Sequence, residues 1–378
     1  MVRAESLRIV LTHVYGWPEV RRGGERFLHE AAGALHDAGH DVEVVTTADR
    51  PGRDTIRGVP VRYLRRRHLA RQRMGALADE AAFGAQCLAH FALRPPDVWH
   101  ALGTADAAAA SILGTVRPGL RTCFTDLGFP SVASRRRRPD RRLHDLVVRR
   151  IDHYICMSDA AGAYLDEGYG RRADVVTGGV DVAAFPLGTS REDVPTILWV
   201  ADADEPRKHL DLVLAASFLL NADPATAPVQ VWIAGPGDQR AALERAALGR
   251  ATPEAIARTD LLGSLGPDAL AGRYGRAWVM CVPSEAEAFG MVFVEALASG
   301  TPVVGLASGG GPATIIKPGI GFTCEPTAAS VAAACLDAFA LATRPETPAA
   351  CRAAARHYDW REGIAPRLEA IYRSPRDT

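Results

Sequence analysis

Short apolar runs alternate along the whole chain with stretches whose apolar residues recur at helical spacing. In the first half LRIVLTH, DVEVVT, DVWHA, RTCFT and DHYICMS have strand length, and helical segments begin near Gly24, Ala105, Arg141 and Ser158. In the second half TILWVA, VQVWIAG, DLLGS, WVMCVPS and TPVVGL read as strands, again with helices between. Strands alternating with helices predict parallel α/β units and argue against a sandwich or a bundle. No repeat of fixed period runs through the sequence, which excludes a solenoid. At 378 residues the chain exceeds what one hydrophobic core usually supports, so the pattern divides into two doubly wound domains. The junction is expected at Phe185 to Val194, where FPLGTSREDV is polar and turn-prone, giving domains over 1–186 and 187–359. Such sheets bind ligands beyond the carboxyl ends of their strands, in a cleft.

Composition narrows the class. Hydrophobic residues make up 48% and charged ones 23%, with no apolar run near the roughly 18 residues of a membrane span. MVRAESLRIVL enters a strand pattern directly, and its apolar stretch is too short for a signal peptide. The seven cysteines show no paired short spacing and mostly fall in apolar segments, as reduced core residues of a cytoplasmic protein do. Charge cancels overall, yet 27 basic residues face 22 acidic ones up to Asp181, and 17 face 22 after it. Arginines cluster at Arg65 to Arg67, with Arg62, Arg71 and Arg73 nearby, and again at Arg135 to Arg138 with Arg141 and Arg142. Such patches attract phosphates or anionic lipid headgroups, and a solvated loop accounts for them equally well. They are the expected points of peripheral membrane contact for a cytoplasmic chain. Nucleic acid is not an expected partner, because no reader motif accompanies the arginines. GxGxxG is missing after the first strand, which leaves a nicotinamide oxidoreductase without support.

The richest stretch is PSEAEAFGMVFVEALASGTPVV, from Pro283 to Val304. It reads as strand, loop and helix, with Glu287 before a Phe289, Gly290, Met291 corner and Glu295 inside the helix. Free amides at such a helix start favour anionic phosphate. This string resembles the donor-site signature of retaining glycosyltransferases of family 4, which have the GT-B fold of two Rossmann-like domains facing a cleft. The resemblance implies transfer of a sugar from a nucleoside diphosphate donor to an acceptor hydroxyl, with retained configuration and no metal or cofactor. Glu287 would then face the donor sugar, the backbone at Phe289, Gly290 and Met291 would orient sugar and phosphate, and Glu295 would hold the ribose.

Other segments carry the resemblance further. Only two lysines occur, Lys208 and Lys317, against 42 arginines. ILWVADADEPRKHLDLVLAA is similar to the family segment in which an arginine and a lysine neutralise the donor diphosphate, which points to Lys208. The usual arginine position, five residues earlier, holds Ala203, so Arg207 is the expected substitute. Asp202 and Asp204 form a pattern that elsewhere holds a metal, and the resemblance to a metal-independent fold argues against that use here. Gly23 and Gly24 open a helix after the first strand and are expected to approach donor or acceptor closely. IAGPGD, with Gly235, and LLGSLG, with Gly263 and Ser264, resemble loops that flank the nucleotide base. DVWHALG and RTCFTDLG resemble the acceptor-side strands, giving His100, Thr125 and Asp126 as candidates, with Thr125 standing where histidine is common. SGGGPATII matches a glycine loop near the donor, with Ala313 in place of the usual acid, and VVTGGVDVAAF resembles the turn before the linker. WREGIAPRLEAIYR, from Trp360, has the spacing of the final GT-B helix, which returns to the first domain. A nucleotide-sugar epimerase or hydrolase on the same fold, and a scaffold without turnover, remain as alternative readings.

Overall fold

The computed structural model describes residues 5–19, 23–68, 76–128, 141–226, 228–248 and 253–375. Arg71, Arg73 and Arg135 to Arg138 of the arginine patches lie outside these residues. The chain forms two units, one of residues 1–179 with 360–378 and one of residues 180–359.

The first unit is built on a sheet of order β3-β4-β2-β1-β5-β6-β7-β8. Its strands are β1 (Arg8–Thr12), β2 (Asp41–Ala48), β3 (Gly52–Ile56), β4 (Val59–Arg65), β5 (Val98–Ala101), β6 (Arg121–Asp126), β7 (His153–Cys156) and β8 (Asp174–Val175). The central strands β1, β5 and β7 are almost wholly buried runs, as strands covered by helices on both faces must be. Neighbours pair in parallel, Leu11 lying between Val44 and His100, except for the edge hairpin β3-β4. That hairpin turns through Arg57 and Gly58, both with positive φ (51° and 81°), which suits the twist of a two-residue connection. Helices α1 (Gly23–Asp37), α2 (Ala76–Phe91), α3 (Thr104–Val116), α4 (Arg141–Arg150) and α5 (Asp159–Tyr169) carry the crossovers. In α1 the buried Phe27, Leu28, Ala31, Ala32 and Leu35 form one stripe. The Ser158 hydroxyl caps α5 by accepting from Ala161 N, and a left-handed Gly170 ends it.

The end of the chain completes this unit. Trp360 is buried, its indole Nε1 donates to Glu30 Oε2 at 2.6 Å, and its ring meets Phe27 edge-on at 5.3 Å. Further along the same segment, the Tyr372 hydroxyl lies 2.6 Å from His100 Nδ1, and Arg121 donates to Ser374 O at 2.7 Å.

The second unit has an all-parallel sheet of order β11-β10-β9-β12-β13-β14. The strands are β9 (Thr196–Val200), β10 (Gln230–Ala234), β11 (Thr259–Gly263), β12 (Val279–Cys281), β13 (Val303–Leu306) and β14 (Gly321–Cys324). Helices α6 (Leu210–Ala222), α7 (Gln239–Ala247), α8 (Pro253–Ala257), α9 (Pro267–Arg276), α10 (Met291–Ala298), α11 (Gly311–Ile315), α12 (Ala328–Ala342) and α13 (Thr347–Arg356) connect them; α14 (Ala365–Arg373) belongs to the first unit. Connections diverge between β9 and β12, and a doubly wound sheet binds its ligand at that switch point.

The division at Gly179 precedes the junction expected at Phe185 to Val194. Val182 N donates to Asp359 Oδ2 at 3.1 Å, and the Arg352 guanidinium donates to Val182 O at 3.1 Å and Ala298 O at 2.7 Å. Farther on, Arg191 donates to Ala342 O and Gly300 O. The expected junction is thus tied into the second unit by Arg191 and by Arg352, which also donates to Phe185 O. All seven cysteines are free and buried.

Candidate functional site

Two loops meet at the switch point of the second unit. After β9 the chain turns through Asp202, whose Oδ1 accepts from Asp204 N at 3.0 Å, while Asp204 Oδ1 accepts from Asp238 N at 3.1 Å. These aspartates therefore hold backbone, and a Cβ at Gly237 would come within 2.7 Å of Asp202 Oδ1. Pro206–Lys208 form one 3₁₀ turn, and a left-handed His209 (φ 48°) leads into α6. Trp199 Nε1 donates to Lys208 O at 3.2 Å and pins the turn.

The loop after β12 answers it. Glu285 N donates to Arg207 O at 2.9 Å, Glu287 N to Gly309 O at 3.0 Å, and Gly311 N back to Glu287 O at 2.8 Å. Ala286 is left-handed (φ 49°), so non-glycine residues in a sparsely populated conformation stand beside both Lys208 and Glu287. The Lys208 ammonium donates directly to Glu287 Oε2, with both side chains mostly buried. Arg207 is less committed: its guanidinium lies 4.0 Å from the same carboxylate oxygen and 3.5 Å from Glu205, and it is 43% exposed. The structure thus brings together three of the residues singled out from the sequence, Lys208, Arg207 and Glu287.

Past the corner, Phe289 is buried with its ring against Tyr358 at 5.4 Å, so this residue offers backbone to the loop and side chain to the core. Gly290 begins α10 at φ 90°, and a Cβ there would approach Phe293 to 2.9 Å. Met291 is the first residue of the helix. Glu295 is only 2% exposed, and its Oε2 accepts from the buried Tyr274 hydroxyl at 2.8 Å. Tyr274 comes from α9 and had no motif around it to mark it. The glycine run after β13 packs backbone on backbone: a Cβ at Gly311 would lie 2.5 Å from Phe289 Cα. The Ser284 hydroxyl is buried beside this loop and has no hydrogen-bond partner among the described residues.

The loops resembling base-flanking segments are already closed on each other. Gly235 N donates to Gly263 O at 2.8 Å, and Gln239 joins them, donating to Gly235 O at 2.7 Å and accepting from Gly263 N at 3.1 Å. The peptide groups of Gly235 and Gly263 thus serve the fold, and Ser264 is exposed.

In the first unit the expected residues separate. A Cβ at Gly23 would meet nothing within 4 Å, so packing does not account for glycine there, whereas one at Gly24 would lie 3.0 Å from Leu127 Cδ1. His100 and Thr125, expected on the acceptor side, are fully buried and joined at 2.7 Å, with the other His100 nitrogen on Tyr372. This corrects the expectation: both groups are spent on packing the C-terminal segment, and burial lowers the His100 pKa to about 3. Asp126 is at the carboxyl end of β6, 6% exposed, with Oδ2 accepting from the Tyr154 hydroxyl at 2.8 Å and Oδ1 from Gly128 N at 3.1 Å. His144 Nε2 reaches the same tyrosine oxygen at 2.9 Å. One carboxyl went unread in the sequence: Asp106, in the first turn of α3, accepts from the Thr12 hydroxyl and is pushed up to about 7 by burial. The arginine patch near β4 is also less free than it reads. Arg62 pairs with Glu43 at 2.7 Å, and Arg66 pairs with Glu19 at 2.7 Å while lying over the Tyr15 ring.

Known families cover these units one after the other. The model described as "Glycosyl transferase 4-like domain" matches residues 22–179, and "Glycosyl transferases group 1" matches residues 188–358. The chain belongs to the family 4 type of glycosyl transferases, group 1. Among curated relatives it is similar to the phosphatidyl-myo-inositol mannosyltransferase of Mycolicibacterium smegmatis, 32% identical over 169 residues, covering 43% of this chain and 41% of that protein. The chain thus matches well under half the length of that relative. Among solved structures it is similar to sucrose-phosphate synthase from Thermosynechococcus elongatus, with TM-score 0.75 and 21% identity over 97% of this chain and 98% of that one. It is also similar to HepE of Anabaena in complex with UDP-glucose, with TM-score 0.70 and 17% identity over 97% and 98%. At such identities these likenesses establish the GT-B fold. No group of three or more histidine, cysteine, aspartate or glutamate residues arranged to hold a metal occurs among the described residues. Nor is any described helix long and apolar enough to cross a membrane.

Proposed function

We propose that the protein transfers a sugar from a nucleoside diphosphate donor to an acceptor hydroxyl with retained anomeric configuration and without a metal. The observation that carries this reading is the meeting of Lys208 and Glu287 at the switch point of the second sheet. The lysine and the carboxylate, far apart in sequence, have been brought within reach of one small ligand. A diphosphate arriving there replaces Glu287 as the counter-charge of Lys208, with Arg207 free to swing in as a second cation. Glu287 is then released to accept hydrogen bonds from sugar hydroxyls. Glu295, oriented by Tyr274, takes the ribose, and the amides at the start of α10 face the phosphates.

In the reaction the bond from the anomeric carbon to the diphosphate oxygen breaks, and the acceptor oxygen bonds to the same face of that carbon. The acceptor proton goes to the departing diphosphate. Lys208 stabilises the charge that grows on that leaving group, the electrostatic role that dominates such catalysis. Asp126, held by Tyr154, is the acceptor-side carboxylate in this reading, since His100 and Thr125 are closed into the core. HepE is described with UDP-glucose, which supports a nucleotide-sugar donor, and the mannosyltransferase relative makes an inositol-bearing alcohol the first acceptor to try.

Thermal-shift measurement against nucleoside diphosphates and their sugars ranks the donors. Product analysis with and without acceptor then separates transfer from hydrolysis or epimerisation. A sugar adduct with the donor's anomeric configuration is expected. Free sugar or an epimer formed equally well without acceptor would overturn the reading, as would the lack of any nucleotide stabilisation.

A further inference from the structure

The cationic groups of the first unit are not all accounted for by the proposed site. Residues 148–152, which join α4 to β7, and residues 168–172, which lead from α5 towards β8, together line a cavity of about 690 Å³. Both segments are helix-to-strand connections, so the cavity opens at the amino ends of the strands. In a doubly wound sheet the substrate site lies at the carboxyl ends, on the other side. Four arginines line it: Arg149, Arg150, Arg171 and Arg172.

The ordinary reason for arginines here is the negative end of a helix dipole. Arg171 alone meets that need, donating to Val148 O, to Ile151 O at 2.7 Å and to Asp152 O at 3.0 Å. Arg149, Arg150 and Arg172 are exposed, and their side chains have no hydrogen bond, ion pair or ring contact among the described residues. The carboxylate lining the cavity, Asp152, also accepts from Thr122 N at 2.9 Å and from its hydroxyl at 3.0 Å. Four guanidinium groups and one carboxylate thus line a concavity of small-molecule size, which leaves a net excess of positive charge there. Guanidinium groups in that arrangement match phosphate oxygens two at a time.

We propose that this cavity binds a phosphate-bearing ligand, separately from the donor site. Phosphate of this kind comes either from a small soluble ester or from a phospholipid headgroup, and the two sources need different assays. Calorimetric titration of the full chain with inorganic pyrophosphate at low salt should show two sites. Lys208→Ala should remove one of them. Adding Arg149→Ala and Arg172→Ala to that variant should weaken the remaining site by on the order of tenfold or more. Arg149→Lys together with Arg172→Lys should fall between, because charge is kept but not the planar fork. Arg149 and Arg172 have no side-chain partners to lose among the described residues, so an unchanged melting temperature checks that the variants fold. Sedimentation with vesicles of phosphatidylcholine and phosphatidylglycerol tests the headgroup source: binding that needs Arg149 and Arg172, with no pyrophosphate site, would assign the ligand to lipid. Pyrophosphate and vesicle binding both indifferent to Arg149 and Arg172 would overturn the proposal. The donor reading would survive that result, since it rests on Lys208.

Discussion

At the scale of single residues, the proposed diphosphate and Glu287 compete for Lys208. A lysine that stabilises the leaving group by ~3 kcal/mol contributes roughly a hundredfold in rate. Lys208→Ala should therefore cut turnover on that order without unfolding the chain. Glu287→Gln has a less obvious expectation. It removes the lysine's resting partner and a negative charge next to the incoming diphosphate, so a nucleoside diphosphate lacking sugar should bind more tightly, by about two- to fivefold for a partly exposed pair. Turnover should fall, because the sugar loses its carboxylate. Tighter binding with slower turnover distinguishes this from simple damage to the site; weaker diphosphate binding would show that Glu287 and the diphosphate do not compete for Lys208. Two buried groups of the first unit respond to pH in opposite senses. With its pKa lowered to about 3, His100 stays neutral when the unfolded chain takes up a proton, so its contribution is complete above pH 6.5 and is lost as pH falls below that. Asp106 keeps its proton up to about 7, so stability declines as pH rises from about 4 to about 7. Asp106→Asn keeps an acceptor for Thr12 and should raise the melting temperature at pH 8 while leaving it nearly unchanged at pH 4. Equal effects at both pH values would mean that ionisation is not the cause.

At the scale of elements, the corner before α10 is where backbone conformation carries the site. Gly290 has both a positive φ and a neighbour at 2.9 Å from any added Cβ, so Gly290→Ala should destabilise by ~1–3 kcal/mol and move the amides proposed to face the phosphates. A loss of nucleotide affinity larger than the loss of stability, compared by titration and denaturant unfolding, is the expected mark. Such a corner is legible from sequence because glycine between an apolar run and a helical pattern has few other uses. Central strands such as β1 and β9 are legible for a related reason, being unbroken apolar runs. The β3-β4 hairpin is not. β3 is exposed along nearly its whole length, so burial imposes no alternation, and Arg57 stands at a turn position where asparagine or glycine would have announced it. His100 misleads in the opposite way. It lies one residue from the end of β5, and only Tyr372, 272 positions away in sequence, reveals that its ring belongs to the core.

For the whole molecule, the consequential feature is that the chain leaves the first unit after Gly179 and returns to it at Trp360. Val180 N donates to Tyr358 O at 2.8 Å, so the departing and returning segments run side by side. In the return segment Trp360, Ile364, Leu368 and Tyr372 are buried. Removing the Trp360 ring would leave a cavity against Phe27 and Gly179 and an unpaired Glu30 oxygen in a buried place. Trp360→Ala should therefore cost ~3–5 kcal/mol, the usual range for a fully buried tryptophan. That cost should be local. Hydrogen exchange should show lost protection in β1, β5 and β6, together with α14, while β9, β10 and β12 exchange as before. Nucleoside diphosphate affinity should hardly change, because Lys208, Glu287 and Glu295 all lie between Val180 and Asp359. Were protection lost evenly across both sheets, the two units would unfold as one body and the returning segment would stabilise the whole chain instead of the unit it packs on.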